Sequence, residues 1–276
     1  MPSELTTEYQ RLLEGKLELS SDVERLREMY RAARPFPHVV MDELLKPALL
    51  DELLLEMRNM GRERWKNVDQ DTRERTLRMR SAAEMGPAGE QLLRIVHSAA
   101  FLYLLSEITG IPDLLPDPYL LGSGYAMMRR GDYFGVHSDR NVAYETGLRR
   151  RLAMIVFLNK DWAAEYHGNL ELWSHDGKTC EVSLPPRYNR TVLFEVADPN
   201  FHGVPTPLEC PADRMRQSFI LYYHTATAKD ASEVKPHTSI FAPRLHGSNR
   251  MTWKAVLRDM TPPIVTRTFR KLRQGD

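Results

Sequence analysis

Four polar residues in the second half of the chain constrain its fold more than any other feature. His137 and Asp139 lie two positions apart in the run YFGVHSDR. His202 follows in NFHGVPTP, and Arg216 lies in RMRQSF. Residues i and i+2 of a β-strand point to the same face, so His137 and Asp139 can reach one ligand if their run is extended. Its aromatic and valine content favours a strand, in which Ser138 would point the other way.

Two imidazoles and one carboxylate are the ligands that a non-haem Fe(II) centre uses. Three protein ligands on one face of an octahedron leave three positions open, and imidazole and carboxylate suit iron where a thiolate would favour softer metals. The H-x-D pair alone is a weak signal, because the chain has nine histidines and chance pairs are expected. The metal-site interpretation therefore depends on the sequence around the pair.

Arg216 points to a carboxylate ligand. A guanidinium forms a planar, bidentate pair with a carboxylate and keeps its charge. Ser218 lies on the same face if RQSFILYYH is a strand, so its hydroxyl can contact the same group. The fourteen-residue gap from His202 to Arg216 leaves room for a strand, a turn in PLECPAD and a return strand. Such an arginine suits a carboxylate of a ligand bound next to the metal.

Several runs resemble, in order and spacing, the prolyl-4-hydroxylase-like branch of the Fe(II)/2-oxoglutarate-dependent oxygenase superfamily. The runs are MRRGDYFGVHSD, RLAMIVFLNKDWAAEYHGNLELW, PPRYNRTVLFEV, HGVPTP and RMRQSFILYY, which cover about 118–224, with a weaker similarity at PFPHVVMDELL. Residues 118–224 also show short β-branched and aromatic runs separated by turn signals. Both observations predict a mostly β fold with flanking helices. Its core would be a double-stranded β-helix, a cupin-like jelly roll, with the N-terminal helices packed on it.

The resemblance also implies roles for individual residues. It places the catalytic iron ligands at His137, Asp139 and His202, and the 2-oxoglutarate arginine at Arg216 with Ser218 as a helper. Related halogenases lack the carboxylate, so Asp139 favours C–H oxidation. The expected cofactor is Fe(II), the cosubstrates are 2-oxoglutarate and O2, and ascorbate is an expected stimulant.

The chain departs from its relatives close to this expected site. Met127 and Met128 stand where relatives often carry a tyrosine that binds the keto acid, and Phe157 replaces another tyrosine. His167-Gly168 stands where many relatives have Gly-Gly. The second contact to 2-oxoglutarate is therefore open, and the candidates are Tyr125, above all, Tyr133 and Thr191.

Other polar residues have a structural interpretation beside a functional one. Arg140 and Asn141 directly follow the metal pair and, like His167 at a turn, are candidate substrate contacts. The run Arg149–Arg151 is typical of a solvated edge, with a site for a substrate anion as the alternative. His97 and His224 lie in apolar surroundings and are interpreted as structural. For His224, a position in the lining of the barrel is the alternative.

Composition argues against several other classes. A net charge of +1 gives no general electrostatic reason to bind nucleic acid or a membrane. The longest apolar stretch, near AAFLYLL, is too short to span a bilayer, and MPSELTTEYQ is not a secretory signal. Cys180 and Cys210 are lone thiols, so a reduced, cytoplasmic setting is expected. The excess of arginine over lysine hints at a GC-rich bacterial genome.

The apolar pattern divides the chain into a helical first third and a β-rich remainder. We expect an N-terminal helical extension over 1–34 and an oxygenase domain over 35–228. A C-terminal extension over 229–276 would pack on the core. Helices are predicted in 5–33, in KPALLDELLLEMRNM and, as one long helix, in GEQLLRIVHSAAFLYLLSEITG, with a strand at PFPHVVM. The segment RERWKNVDQDTRERTLRMR carries no clear pattern.

The expected activity couples oxidative decarboxylation of 2-oxoglutarate to hydroxylation or a related C–H oxidation. The expected partner is a small-molecule substrate such as an amino acid, a sugar or a natural-product intermediate in bacterial tailoring metabolism, and the chain would act as a monomer or homodimer. A protein or peptide prolyl hydroxylase is the alternative, because VFLNKDW is close to such enzymes. A non-catalytic cupin-like binding protein is more distant, since no metal ligand and no arginine is lost.

Overall fold

The computed structural model describes residues 11–15, 17–18, 22–69, 73–79, 81–117, 119–120, 122–226 and 236–242. Within these ranges the chain forms four α-helices and one sheet of thirteen strands. The helices are α1 (Val23–Ala32), α2 (Pro47–Asn59), α3 (Pro87–Val96) and α4 (Ala99–Thr109). The strands are β1 (His38–Asp42), β2 (Lys66–Asp69), β3 (Glu74–Met79), β4 (Gly124–Met128), β5 (Tyr133–Ser138), β6 (Val142–Ala143), β7 (Leu148–Phe157), β8 (Leu170–Trp173), β9 (Cys180–Leu184), β10 (Arg190–Glu195), β11 (His202–Val204), β12 (Arg216–Thr225) and β13 (Ile240–Phe241).

The sheet is antiparallel throughout and curls into a jelly roll. Its order is β1-β10-β7-β12-β4-β3-β5-β11-β8-β9, with β2 paired to β3, β6 to β7 and β13 to β5. Neighbours in the sheet are far apart in sequence, so long connections bring β5 and β11 side by side. The predicted fold class is confirmed. β1, β2, β3, β6 and β13 extend the sheet beyond the eight strands of a jelly-roll core.

Side chains alternate between two apolar layers along the long strands. The outer face packs against the four helices, whereas the inner face lines the barrel. Burying both faces accounts for the nearly continuous apolar run of β7. On this strand the outer residues are Leu152, Met154 and Val156, and the inner residues are Ala153, Ile155 and Phe157.

A β-bulge interrupts this alternation near the start of β7. Tyr223 of β12 pairs with Leu152, but the next residue, His224, pairs with Arg150, so Arg151 is the extra residue. An extra residue on one strand reverses the face to which the residues before it point. Arg150 therefore faces into the barrel, where uninterrupted alternation would have placed Arg151.

The helices differ from prediction in two places. The expected single helix over 89–110 is two helices bent by 53°, because Ser98 caps the second helix by accepting a hydrogen bond from the Phe101 amide at 3.2 Å. The second helix ends at Gly110, which adopts the left-handed conformation. Within the helix expected over 5–33, residues 11–13 and Val23–Ala32 are helical, and part of that range lies outside the described residues.

A carboxylate from α2 ties the helical layer together. Glu56 accepts hydrogen bonds from the amides of Gly86, Ala88 and Gly89 at 2.8, 3.1 and 3.2 Å, where α3 begins. The Tyr125 hydroxyl of β4 donates to the same carboxylate at 2.7 Å. Free amides and the dipole at a helix N-terminus favour a negative charge, so Glu56 acts as a cap supplied by another helix.

No single helix among the described residues is long and apolar enough to cross a membrane, and only the bent pair of α3 and α4 meets the length and composition together. The segment over 62–80, which carries no clear pattern in the sequence, contains β2 and β3, which pair with each other. Most of the expected C-terminal extension lies outside the described residues, and 236–242 supplies β13.

Candidate metal centre

Adjacent antiparallel strands bring together the two histidines and the aspartate that the sequence singled out. His137 of β5 pairs directly with His202 of β11, and Asp139 follows the end of β5. Their ligand atoms all lie within 4.8 Å of one another. The Asp139 oxygens Oδ1 and Oδ2 lie 3.6 Å from Nε2 of His137 and of His202, respectively. Such a cluster can hold one metal ion.

Backbone carbonyls fix the orientation of both imidazoles. Nδ1 of His137 lies 2.8 Å from the Gly135 carbonyl oxygen, and Nδ1 of His202 lies 3.3 Å from that of Asn200. When Nδ1 carries the proton and donates to these carbonyls, Nε2 presents its lone pair to the cluster. Both histidines are thus set up as neutral nitrogen ligands.

Only one of the two Asp139 carboxylate oxygens accepts a hydrogen bond from the described residues. Its Oδ1 accepts a hydrogen bond from the Tyr222 hydroxyl at 3.2 Å. Its Oδ2 is buried and accepts no hydrogen bond from the part of the chain that the structure describes. A buried carboxylate oxygen without a donor is costly unless a cation lies next to it. The donor set therefore fits Fe(II).

The charges in the cluster favour ligation at neutral pH. Burial, and next the neighbouring His137, lower the pKa of His202 to about 4, so this imidazole is neutral. Burial alone would raise the pKa of Asp139. The hydrogen bond with His137, the charges that the imidazoles carry once they are protonated in the acidic range, and the charge of Arg150 outweigh burial and hold this pKa well below its ordinary value. A neutral imidazole and an ionised carboxylate are the forms that bind a metal.

Aromatic rings pack around the imidazoles. Phe134 stacks on His137 with ring centroids 4.0 Å apart, and Phe194 lies 4.7 Å from His202. Phe241 of β13 contributes a third ring, 5.5 Å from His137. This apolar wall restricts rotation of the ligands and limits the access of water to them.

A buried cation lies in the same pocket. Arg216 is 5% exposed, and no acidic side chain pairs with it among the described residues. Its Nε donates to the Gly168 carbonyl at 2.6 Å, and its guanidinium lies over the Phe157 ring at 4.9 Å. Burial and the nearby Arg78 lower its pKa to about 9, which leaves it charged at neutral pH. A buried, unpaired guanidinium requires an anion.

The hydroxyl next to this cation also lacks a partner. Ser218 lies two residues beyond Arg216 on β12, faces the same pocket, and its buried Oγ makes no hydrogen bond within the described ranges. The Met128 sulfur, which replaces the hydroxyl of relatives, lies 3.7 Å from Nη1 of Arg216. The guanidinium and the hydroxyl together fit one carboxylate, such as the distal end of 2-oxoglutarate.

A sharp turn explains the glycine next to Arg216. Gly168 has φ +85°, and a Cβ built there would lie 3.0 Å from the Arg216 Cδ. His167 adopts φ +57° and ψ −150°, a conformation that glycine adopts readily and other residues rarely. The His-Gly pair thus preserves the turn of the Gly-Gly relatives, at the cost of strain in His167.

The pocket around the cluster has a volume of about 430 Å³. It is lined by His137, Asp139, His202, Arg216 and Ser218, and also by Arg140 and Arg150. Residues that the sequence did not point to also line it, namely Glu74 and Arg78 from β3, Tyr119 and Tyr222. The polar run over 73–79 gave no local signal for Glu74 and Arg78. A second, larger cavity of about 970 Å³ is lined in part by residues of α2. None of His137, Asp139 and His202 lines it.

The candidates for a second 2-oxoglutarate contact are not brought to the cluster. Tyr125 alternates with the inner residue Ala126, so it faces the helices and donates to Glu56. Thr191 likewise alternates with the inner residue Val192. Neither residue lines the pocket, and neither does Tyr133. The interpretation of Tyr125 as a cofactor contact is therefore corrected, because strand alternation points its hydroxyl away.

The substrate candidates divide in the same way. Arg140 lines the pocket, whereas Asn141 and His167 do not. The side-chain Nδ2 of Asn141 donates to Asp198 Oδ2 at 3.3 Å, and its Oδ1 accepts from the backbone amide of His237 at 3.2 Å. His167 lies at the surface, with Nε2 4.0 Å from Glu209. Asn141 thus holds the segment before β13 in place.

The fold is similar to solved oxygenases of several organisms. A prolyl-4-hydroxylase from Pseudomonas putida is 20% identical, with a TM-score of 0.51 over 72% of this chain and 98% of that one. A prolyl hydroxylase from Trichoplax adhaerens, solved with a hypoxia-inducible-factor peptide, is 17% identical, with a TM-score of 0.51 over 81% and 94%. HygX from Streptomyces hygroscopicus, solved with nickel and 2-oxoglutarate, is 12% identical, with a TM-score of 0.51 over 78% and 97%. These identities establish a shared fold.

The sequence comparisons match part of the chain to a known family. No curated protein matches the chain. The family model described as the 2OG-Fe(II) oxygenase superfamily matches residues 123–224, which span the segment from β4 to β12. The structural cluster of two histidines and an aspartate lies inside this match. The match and the cluster together identify residues 123–224 as a 2OG-Fe(II) oxygenase segment and support a dioxygenase that uses Fe(II) and 2-oxoglutarate.

Proposed function

We propose that this oxygenase oxidises a C–H bond of a small molecule. His137, Asp139 and His202 hold the iron, and Arg216 with Ser218 binds the distal carboxylate of 2-oxoglutarate. One observation carries the assignment of roles: among the described residues, a single pocket holds a buried carboxylate oxygen without a donor and a buried guanidinium without an acidic partner. The first is Asp139 Oδ2, which suits a cation. The second is Arg216, which suits an anion together with the unbonded Ser218 hydroxyl.

The bound iron and 2-oxoglutarate supply the oxidising power when O2 reacts there. The protein orients the reactants and excludes water. Tyr222 keeps its proton, since burial and the Asp139 charge raise its pKa, and so it goes on donating to Asp139. This hydrogen bond holds one carboxylate oxygen and leaves the other for the metal.

The shape of the pocket supports a small substrate. Its volume of about 430 Å³ lies at the lower end of the range of roughly 300–1,000 Å³ that is typical of small-molecule sites. Ser239, in the segment that leads into β13, lines the pocket, so the chain itself covers part of the opening. An extended peptide would need an open groove there.

The test of the metal and cosubstrate roles is the anaerobic visible spectrum during addition of Fe(II) and then 2-oxoglutarate. We expect a metal-to-ligand charge-transfer band that needs both additions and is lost in Asp139→Ala. In Arg216→Ala the band should form only at a much higher 2-oxoglutarate concentration. Asp176→Ala, at an exposed turn, is the control and should behave as wild type. A wild-type protein without the band would refute this function.

Peptide hydroxylation is the second possibility, and the measured product separates it from the first. Succinate formation is followed with a pool of small metabolites and, separately, with proline-containing peptides. Stimulation by the small molecules alone supports the proposal. Stimulation by the peptides alone contradicts the substrate class but leaves the iron and 2-oxoglutarate roles intact.

A further inference from the structure

The pocket has two ends along β12. The inner residues of this strand run in the order Arg216, Ser218, Ile220 and Tyr222. At a rise of about 3.3 Å per residue, Arg216 and Tyr222 stand roughly 20 Å apart at their backbones. The Tyr222 hydroxyl contacts Asp139, so the metal cluster lies beside the Tyr222 end. If Arg216 anchors 2-oxoglutarate at one end, the other end is left for the substrate.

A second buried arginine lies at this other end. Arg150 is 5% exposed and lines the pocket, and its guanidinium carbon lies 3.6 Å from the centroid of the Tyr222 ring. Stacking on an aromatic face fixes the plane of a guanidinium. The bulge at Arg151 is what turns Arg150 inward. The β-bulge thus places the positive charge of Arg150 in the pocket.

The backbone beside this arginine leaves it room. A Cβ built on Gly122, which has φ +97°, would lie 3.4 Å from Nη2 of Arg150 and 3.2 Å from the Tyr222 ring. The close approach needs a glycine, so the stacked pair of Arg150 and Tyr222 is tightly enclosed on that side. Its remaining side faces the pocket.

A third arginine lies near the same end. The Arg150 amide donates to the Asn141 carbonyl at 2.8 Å, which places the neighbouring Arg140 beside it. Arg140 lines the pocket, with its guanidinium 5.0 Å from the Tyr144 ring and Nη1 4.0 Å from Glu145. Elsewhere in the pocket, Arg78 is paired with Glu74 at 3.1 Å. The Tyr222 end of the pocket thus carries two guanidinium groups, with Glu145 as an acidic neighbour of Arg140.

We propose that Arg150, assisted by Arg140, binds an anionic group of the substrate, which is a small molecule bearing a carboxylate, phosphate or sulfate. This inference rests on the proposed function, because it takes the Arg216 end to be filled by 2-oxoglutarate. Guanidinium groups bind such anions in a planar, bidentate manner, and the low dielectric of the pocket strengthens the pairing. With its anion at Arg150, the substrate extends past Tyr222 towards Asp139 and presents a C–H bond at the metal cluster.

Matched pairs of charged and neutral probes test the proposal by binding. Phenyl phosphate and benzoate are compared with phenol and benzamide by calorimetric titration. Each titration uses the anaerobic protein loaded with Fe(II) and 2-oxoglutarate, and is repeated without metal. We expect the anions to bind at millimolar concentrations and more tightly than the neutral probes. The charge-transfer band should persist, because the probe and 2-oxoglutarate occupy different ends.

Substitutions within the arginine run provide the control. Arg150→Gln should weaken binding of the anionic probes about tenfold or more, as expected for one lost charged hydrogen-bond partner. Arg150→Lys should fall between Arg150→Gln and wild type, since it keeps the charge but not the planar fork. Arg149→Gln, on the outward-facing neighbour that does not line the pocket, should change the affinity by less than about twofold.

Three results would overturn the proposal. They are equal binding of charged and neutral probes, unchanged affinity in a folded Arg150→Gln protein, and loss of the band as the anion displaces 2-oxoglutarate. If Arg150→Gln does not fold, the comparison of probes in wild type and in Arg140→Gln decides. A missing band in wild type refutes the proposed function instead, and the titration without metal then still reports on the subsite alone.

Discussion

At the scale of single residues, the site depends on a glycine that touches no ligand. Gly168 accepts the Arg216 Nε hydrogen bond with its carbonyl and leaves space for the Arg216 side chain. We expect Gly168→Ala to weaken 2-oxoglutarate binding about tenfold or more, because a Cβ 3.0 Å from Arg216 Cδ pushes the guanidinium aside. Titration of the charge-transfer band with 2-oxoglutarate measures the loss.

Gly147 supplies the control for this substitution. It has φ +69°, and nothing lies within 4 Å of a Cβ built there. Gly147→Ala therefore imposes a comparable backbone penalty of about 1–2 kcal/mol without a clash. Equal 2-oxoglutarate affinity in the two variants would contradict the positioning role of Gly168.

The lead residues of the site could be predicted from the sequence because each argument was local. His137 with Asp139, and Arg216 with Ser218, are i and i+2 pairs on strands, and alternation alone sets their faces. Alternation does not predict the direction of Arg150, because the bulge at Arg151 changes the side of the sheet to which Arg150 points. No residue type in the sequence indicates this bulge. Alternation also applies to Tyr125, a candidate for the second 2-oxoglutarate contact, and points its hydroxyl towards Glu56.

At the scale of elements, the cap between α2 and α3 is a stabilising contact that the sequence did not reveal. Glu56 lies thirty or more residues from the amides that it accepts, so no local capping pattern exists. We expect Glu56→Gln to lower the free energy of unfolding by about 1–3 kcal/mol, since it removes the charge and points an amide donor at other donors. Urea unfolding measures the change.

The control for the cap is an exposed acid on α3 itself. Glu90 pairs with Arg94 at 3.0 Å at the surface, and Glu90→Gln should cost no more than about 0.5 kcal/mol. The charge-transfer band should be unchanged in both variants. A Glu56→Gln protein as stable as Glu90→Gln would show that the capping contact contributes little.

The hairpin of β2 and β3 shows why other elements escaped prediction. Its sequence is polar because β2 is mostly exposed and β3 points Glu74 and Arg78 into the pocket, so the apolar alternation of a strand is missing. Pairing with β4 and β5, about fifty residues later, is what makes β3 a strand. Long-range pairing of this kind leaves no trace in a local pattern.

At the scale of the whole molecule, buried histidines make stability depend on pH. Burial lowers the pKa of His97 from 6.5 to about 4, and the pKa of His224 changes in the same direction. Between pH 6.5 and about pH 4, these histidines are protonated in the unfolded chain but neutral in the folded chain. Stability is therefore complete above pH 6.5 and falls as the pH drops towards 4.

We expect the free energy of unfolding to be lower at about pH 5 than at about pH 7.5, and the difference to be smaller in His97→Phe. Urea unfolding of the metal-free protein at the two pH values measures it. His175→Gln, at an exposed turn, should leave the difference as in wild type. An unchanged difference in His97→Phe would remove His97 as a cause.

The strand β13 has a consequence for the modularity of the enzyme. Phe241 and Ser239 come from beyond the matched segment 123–224, and Arg78 comes from before it, yet all three border the reaction chamber. A chimaera that exchanged only 123–224 between two relatives would carry over the iron ligands and leave part of the pocket wall behind, including Glu74, Arg78 and Ser239. Such an exchange would therefore pair the iron ligands of one relative with part of the pocket wall of the other.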